Sequence, residues 1–280
     1  MLQSSTHPIG IFDSGMGGLT VAKTITEYMP NENIVYFGDT AHTPWGDKST
    51  AAIQAYAIKI CDVLLQHQCK LIVIACHTAS TAAYELIAEY VGNKAFVINV
   101  VDPVIKHIQQ HHSNKKIGLI GTKQTIRSNT YKRRVDRLDQ NIELASLATP
   151  LLAPLIEEGF GEKHVTTTIM QEYLAHPNLE NIEALILGCT HYPLLKPMIQ
   201  NFYKNKVDII DASEMTAKIL KEHLTLHNLL NPGTVSKETT VNGDASKRTF
   251  YVSDHNEFFE TIAKLFFPGK IELKHYPLWE

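Results

Sequence analysis

The 280-residue chain is poor in cysteine, with four residues, and has only two tryptophans. Four cysteines without a CxxC pair do not make a disulfide framework in a chain this long, which points to free thiols in a reducing cytoplasm. No apolar run approaches the ~18 residues of a membrane span. The opening stretch MLQSSTHPIG has neither a charged n-region nor an apolar h-region, so no secretion signal is expected. There is no basic block, and the formal net charge is −3. That excludes the electrostatic footprint of a nucleic-acid binder. Short-period repeats and low-complexity tracts are also missing. Fourteen histidines are scattered along the chain, and His111 and His112 fall in QQHHSNKK, which reads as a solvated loop.

What remains is an ordinary globular composition, 44% apolar and 20% charged. Short apolar runs alternate with longer stretches of helical spacing. HPIGIF, NIVYFG, CKLIVIA and AFVINVV read as strands separated by helices. The pattern restarts with KKIGLIGT, IELASLAT, IEALILG and VDIIDAS. RTFYVSD and NEFFETIAKLFF add one more strand and helix, after the turn-rich loop LNPGTVSKETTVNGDASK. Strand-helix alternation predicts an α/β fold with parallel-rich sheets, in two small units.

Ligands of open parallel sheets bind beyond the carboxyl ends of the strands. Four turns occupy such places: Asp13-Ser14-Gly15, Gly38-Asp39-Thr40, Cys76-His77-Thr78 and Gly188-Cys189-Thr190-His191. GIFDSGMGG imitates a dinucleotide fingerprint, and Asp39 imitates its ribose-binding acid. The match fails at Thr20, where the third glycine belongs, and at Asp13, whose carboxylate would repel a pyrophosphate. A tight turn, or a cradle for a small carboxylate at a helix N-terminus, fits the same residues.

Cys61 and Cys69 read as core thiols, in a helix and just before a strand. Cys76 and Cys189 instead end apolar runs and precede helices, where peptide N–H groups and the helix dipole favour thiolate. His77 and His191 stand beside them. CxxC and HxxxH spacings are missing from these turns, so no metal is expected there. Two thiols from opposite halves suit inversion at a carbon: one removes a proton from one face, and the other delivers a proton to the opposite face.

These residues also carry a family resemblance. IGIFDSGMGGLTVAKTI, YFGDTAHTPWGDKS, IACHTAS, IGLIGTKQTIRSNTY, LLAPLIEEG, LILGCTHYPLL and FYVSDHNEFF occur in the order found in glutamate racemases and cover nearly the whole chain. The wider group includes aspartate racemases. The resemblance implies two pseudo-symmetric α/β domains, 1–99 plus 212–280 and 100–211, with the active site in the cleft between them. It implies racemisation without pyridoxal phosphate, metal or nucleotide, and a cytoplasmic supply of D-glutamate for peptidoglycan. Cys76 and Cys189 match the catalytic cysteines, Asp13 the acid near the first and His191 the histidine near the second. Ser14, Thr78, Thr190 and the backbone around Gly46 match substrate-binding positions, which Asp13 and His191 share, and Thr125 keeps the family's threonine. A small amino acid, glutamate, is the implied partner, without membrane or direct nucleic-acid contact, and a homodimer is the protein assembly considered.

Three residues depart from the family pattern: Trp45 replaces a tyrosine, His77 an asparagine and Gln124 a glycine. Trp45 and His77 fall at the substrate site. The second nitrogen of His77 is expected to titrate near the ordinary histidine value. Three function classes follow: a glutamate racemase, a racemase of aspartate or another amino acid, and a binding module that holds a ligand or protein partner. The third accords with the gyrase inhibition ascribed to some family members. Deuterium uptake at the substrate Cα separates the first two from the third.

Overall fold

A computed structural model describes residues 3–161, 163–233, 247–254, 257–267 and 272–279. Most of the predicted turn-rich loop, 234–246, lies outside the described residues.

The first sheet is built from β1 (Ile9–Asp13), β2 (Ile34–Gly38), β3 (Leu71–Ile74), β4 (Phe96–Asn99), β9 (Arg248–Val252) and β10 (Glu272–His275). Its order is β10-β9-β2-β1-β3-β4. The second has four strands in the order β6-β5-β7-β8. These are β5 (Lys116–Gly121), β6 (Glu143–Ala148), β7 (Ala184–Gly188) and β8 (Asp208–Ile210). Every pairing in both sheets is parallel. Parallel strands covered on both faces need apolar side chains throughout, and β1, β2, β3 and β7 are buried from end to end. The sequence pattern located all these strands except β10.

The orders share a motif. The run β2-β1-β3-β4 repeats as β6-β5-β7-β8, so β1 corresponds to β5 and β3 to β7. Cys76 comes two residues after β3 and Cys189 immediately after β7. The two cysteines occupy equivalent places in a repeated topology.

Helices α1 (Leu19–Tyr28), α4 (Val101–His111) and α10 (Ala212–Leu226) pack together on one side. Their core joins Ile9, Ile11 and Val73 of the first sheet to Ile117, Leu119 and Ile186 of the second. Burying each such side chain is worth about 1.5–3 kcal/mol. The opposite face of the first sheet packs on α2 (Thr50–Gln66) and α3 (His77–Val91) around Phe12, Phe37, Ile72 and Cys61. The second sheet has its own outer core, on α7 (Leu152–Glu157), α8 (His164–Leu174) and α9 (Lys196–Phe202). Among the described residues, no helix is long and apolar enough to cross a membrane.

Candidate active site

Three of the four strand-end turns meet in one small cavity, and Gly38-Asp39-Thr40 does not line it. The cavity is lined by Ser14, Trp45, Gly46, Cys76, His77, Thr78, Cys189, Thr190 and His191, with Thr43, Pro44, Thr122, Ala153 and Glu157. Its volume is about 30 Å³.

Asp13 ends β1 fully buried. Its Oδ2 accepts the Gly15 N–H at 3.1 Å, and its Oδ1 accepts the Thr190 hydroxyl at 3.2 Å. Burial raises the Asp13 carboxyl above its ordinary range, against the opposing pull of His191 and of the Gly18 and Gly15 N–H groups. Cys76 caps the N-terminus of α3, and its thiol donates to Ser14 Oγ at 3.6 Å. Burial pushes this thiol up to about 12, reinforced by the charge of Asp13. The N–H of Ala79 and the Ser14 hydroxyl pull the other way but do not win.

Cys189 lies 3.6 Å from His191 Nδ1. On the far side of the ring, Nε2 is 2.9 Å from Glu157 Oε1, close enough for charge attraction although its angle is poor for a hydrogen bond. Burial alone would pull His191 down. Cys189 and Glu157 overcome it and hold the imidazole well above its ordinary value. Close packing sets the turn after β1: a Cβ on Gly17 would lie 2.4 Å from Thr190 Oγ1 and 2.7 Å from His191 Nδ1. Only glycine lets the two sets of strand ends approach this closely.

Residues 19–220 match the Asp/Glu/Hydantoin racemase family. The chain belongs to this family. A glutamate racemase of Neisseria meningitidis is 41% identical over 266 residues, covering 95% of this chain and 94% of that protein. One from Syntrophus aciditrophicus is 39% identical over 260 residues, covering 93% and 92%. Among solved structures, the Francisella tularensis glutamate racemase in complex with D-glutamate has a TM-score of 0.88 and 35% identity, covering 98% of this chain and 99% of that one. The Thermus thermophilus glutamate racemase, in complex with β-chloro-D-alanine, has a TM-score of 0.83 at 35% identity, covering 98% of each.

The site differs from the sequence expectation in several respects. Thr125 does not line the cavity. It is buried behind Thr122, with its hydroxyl 3.0 Å from Thr122 Oγ1 and 3.4 Å from Thr78 Oγ1. Thr122 itself lines the cavity and meets the Thr78 hydroxyl at 2.9 Å.

His77 is buried against Tyr131, ring centroids 6.4 Å apart and 17° from parallel, and neither ring nitrogen has a partner. Burial drives its pKa down to about 3, so it does not titrate in the physiological range. The favourable helix N-terminus at Cys76 is likewise outweighed by burial. Cys189 precedes only a short 3₁₀ turn, Tyr192–Leu195, rather than a full helix.

Glu157 was not singled out from sequence. It ends α7 in IEEG, where a pair of acids reads as a solvated helix end.

The departures Trp45 and Gln124 both make defined contacts. Trp45 is buried and donates Nε1–H to Asp39 Oδ2 at 3.0 Å. Asp39 also accepts from Ser253 at 2.6 Å and pairs with His42 at 2.8 Å, so it supports the Trp45 loop. Gln124 donates to Thr50 Oγ1 at 2.8 Å and accepts from Arg127 at 2.5 Å.

Proposed function

We propose that the protein interconverts L- and D-glutamate by a two-base transfer at Cα, with Cys76 and Cys189 as the acid–base pair. One observation carries this reading: equivalent strand ends of a repeated topology deliver both thiols to a single cavity. The relatives named glutamate racemase, and the D-glutamate complex of one of them, support glutamate as substrate.

Inversion requires a base on one face and an acid on the other. In one direction the Cys76 thiolate takes the Cα proton. The C–H electron pair passes into the substrate carboxylate, and the Cys189 thiol gives its proton to the opposite face. The reverse reaction exchanges the roles.

A thiol raised to about 12 rests protonated. Asp13, close enough to act on Cys76 through its charge, is the proton acceptor that generates the Cys76 thiolate. The substrate ammonium then favours that thiolate electrostatically. His191, held cationic with the help of Glu157, stabilises the Cys189 thiolate. Ser14, Trp45, Gly46, His77, Thr78 and Thr190 contact the substrate, and Thr125 acts through Thr122 and Thr78.

The same reading divides the chain into one domain of residues 1–99 plus 212–280 and a second of residues 100–211. It gives the enzyme a cytoplasmic role, supplying D-glutamate for peptidoglycan. Proton NMR in D2O, with a panel of L- and D-amino acids, tests the reaction. Cα deuterium uptake by glutamate is expected. Uptake confined to aspartate or another amino acid would replace the substrate, and uptake by none would leave a binding protein.

A further inference from the structure

The chain crosses between the sheets twice. It leaves the first sheet through β4 and α4 to reach β5, and it returns from β8 into α10. The C-terminal end of α4 meets the start of β8, so one residue cluster touches both crossings.

That cluster is His107, His112 and Asp208. One ligand atom from each lies within 4.8 Å of the others. QQHHSNKK reads as a solvated loop, and it is exposed over most of its length, but α4 runs through His111 and His112 is 2% exposed. Neither ring nitrogen of His112 has a hydrogen-bond partner. A buried imidazole with both nitrogens unsatisfied is costly and calls for a ligand or another explanation. Its Nε2 lies 3.3 Å from Asp208 Oδ2, off the line of a hydrogen bond. Two donors bound to one tetrahedral ion at about 2.0–2.1 Å lie about 3.3 Å apart. The His107 ring completes the set, its centroid 5.4 Å from that of His112. His107 is half-buried and Asp208 exposed, so the set opens to solvent on one side.

We propose that His107, His112 and Asp208 bind one divalent transition-metal ion of the zinc, cobalt or nickel class, clasping the two crossings. Two imidazoles and one carboxylate suit those ions, whereas magnesium and calcium take oxygen donors. A water molecule completes a tetrahedral shell. Lys115 and Lys218 act electrostatically on this cluster, opposing a cation, and Asp208 supplies the compensating charge. His111 is exposed and outside the donor set, although its ring is 4.7 Å from that of His107. The site is separate from the cavity that holds Cys76 and Cys189.

Titration of the metal-free full chain with Co2+, followed by visible absorption, tests the proposal. One ion per chain is expected, without the near-ultraviolet thiolate charge-transfer band that the active-site cysteines would give. Asp208→Ala and His107→Gln should each weaken binding by about 10–100-fold, the range seen even for outer partners of metal ligands. His111→Gln should leave it unchanged. His112→Gln alters a buried group, so the exposed Asp208→Ala decides the matter should that variant misfold. Three results would overturn the site: no visible band, affinity unaltered in Asp208→Ala and His107→Gln, or loss of binding in His111→Gln. The last would assign the ion to the exposed His107/His111 pair.

Discussion

Thr190, just past β7, donates its hydroxyl to Asp13 at the end of β1, 3.2 Å away. The bond joins the carboxyl ends of two different sheets. Its backbone carbonyl also accepts from Thr20 at 3.2 Å. Together these contacts tie the turn after β1 to the turn after β7.

Gly17 makes that close approach sterically feasible. Gly17→Ala would place a methyl group 2.4 Å from Thr190 Oγ1. Overpacking of this kind costs about 1–3 kcal/mol. The variant is expected to lose that much stability in urea unfolding and to show a lower kcat/KM. Wild-type values for both would mean that the two sets of strand ends are not held this closely in solution.

The thiol pair gives the most direct kinetic prediction. Cys76→Ser and Cys189→Ser should each nearly abolish racemisation, because a serine hydroxyl is a far weaker base than a thiolate unless strongly activated. Circular dichroism of the glutamate product pool measures the rate. Full activity in either variant would remove that cysteine from the reaction.

In the proposed mechanism Asp13 and His191 serve different thiols, so their variants should differ by direction. Asp13→Asn and His191→Asn are expected to lower turnover by the usual general acid–base range, about 10²–10⁴-fold. Their primary deuterium isotope effects should be unequal for L- and D-glutamate, in opposite senses. Glu157→Gln removes a carboxylate that holds His191 cationic. As pH rises through the His191 value the cation is lost, so this variant should move the alkaline limb of kcat/KM to lower pH. An unmoved limb would detach Glu157 from the mechanism.

The strand-helix pattern and the four strand-end turns were legible because apolar runs and turn residues are local signals. β10 was not, because Lys274 and His275 make the edge strand Glu272–His275 look polar. Glu157 and Thr122 escaped notice because what matters is where the fold carries them, to a cavity wall far in sequence from Asp13 and Cys76. Burial accounts for the largest differences. Helix-end electrostatics at Cys76 and the polar neighbours of His112 are local features, yet the solvated setting they suggest for His112 is wrong. The surrounding core, assembled from distant segments, decided both outcomes.

His77 puts that lesson in measurable form. A histidine beside the thiol of Cys76 invites the expectation of titration near 6.5, yet burial against Tyr131 lowers its pKa to about 3. Its folded value is depressed, so the fold favours the neutral ring. The stability this confers is complete above the unfolded value of about 6.5 and drains away as pH falls toward 3. The loss amounts to about 1.4 kcal/mol for each pH unit below about 6. His77→Asn cannot take up that proton. Urea unfolding at a series of pH values should therefore show a shallower acid-side loss in His77→Asn than in wild type, by that slope. Other buried histidines contribute equally to both proteins and cancel in the comparison. The kcat/KM profile should carry no inflection near 6.5 that disappears in the variant, and His77→Asn should still racemise glutamate, since it restores the residue usual in the family. Equal acid slopes in the two proteins would show that His77 is solvated in solution and that the packing against Tyr131 does not hold.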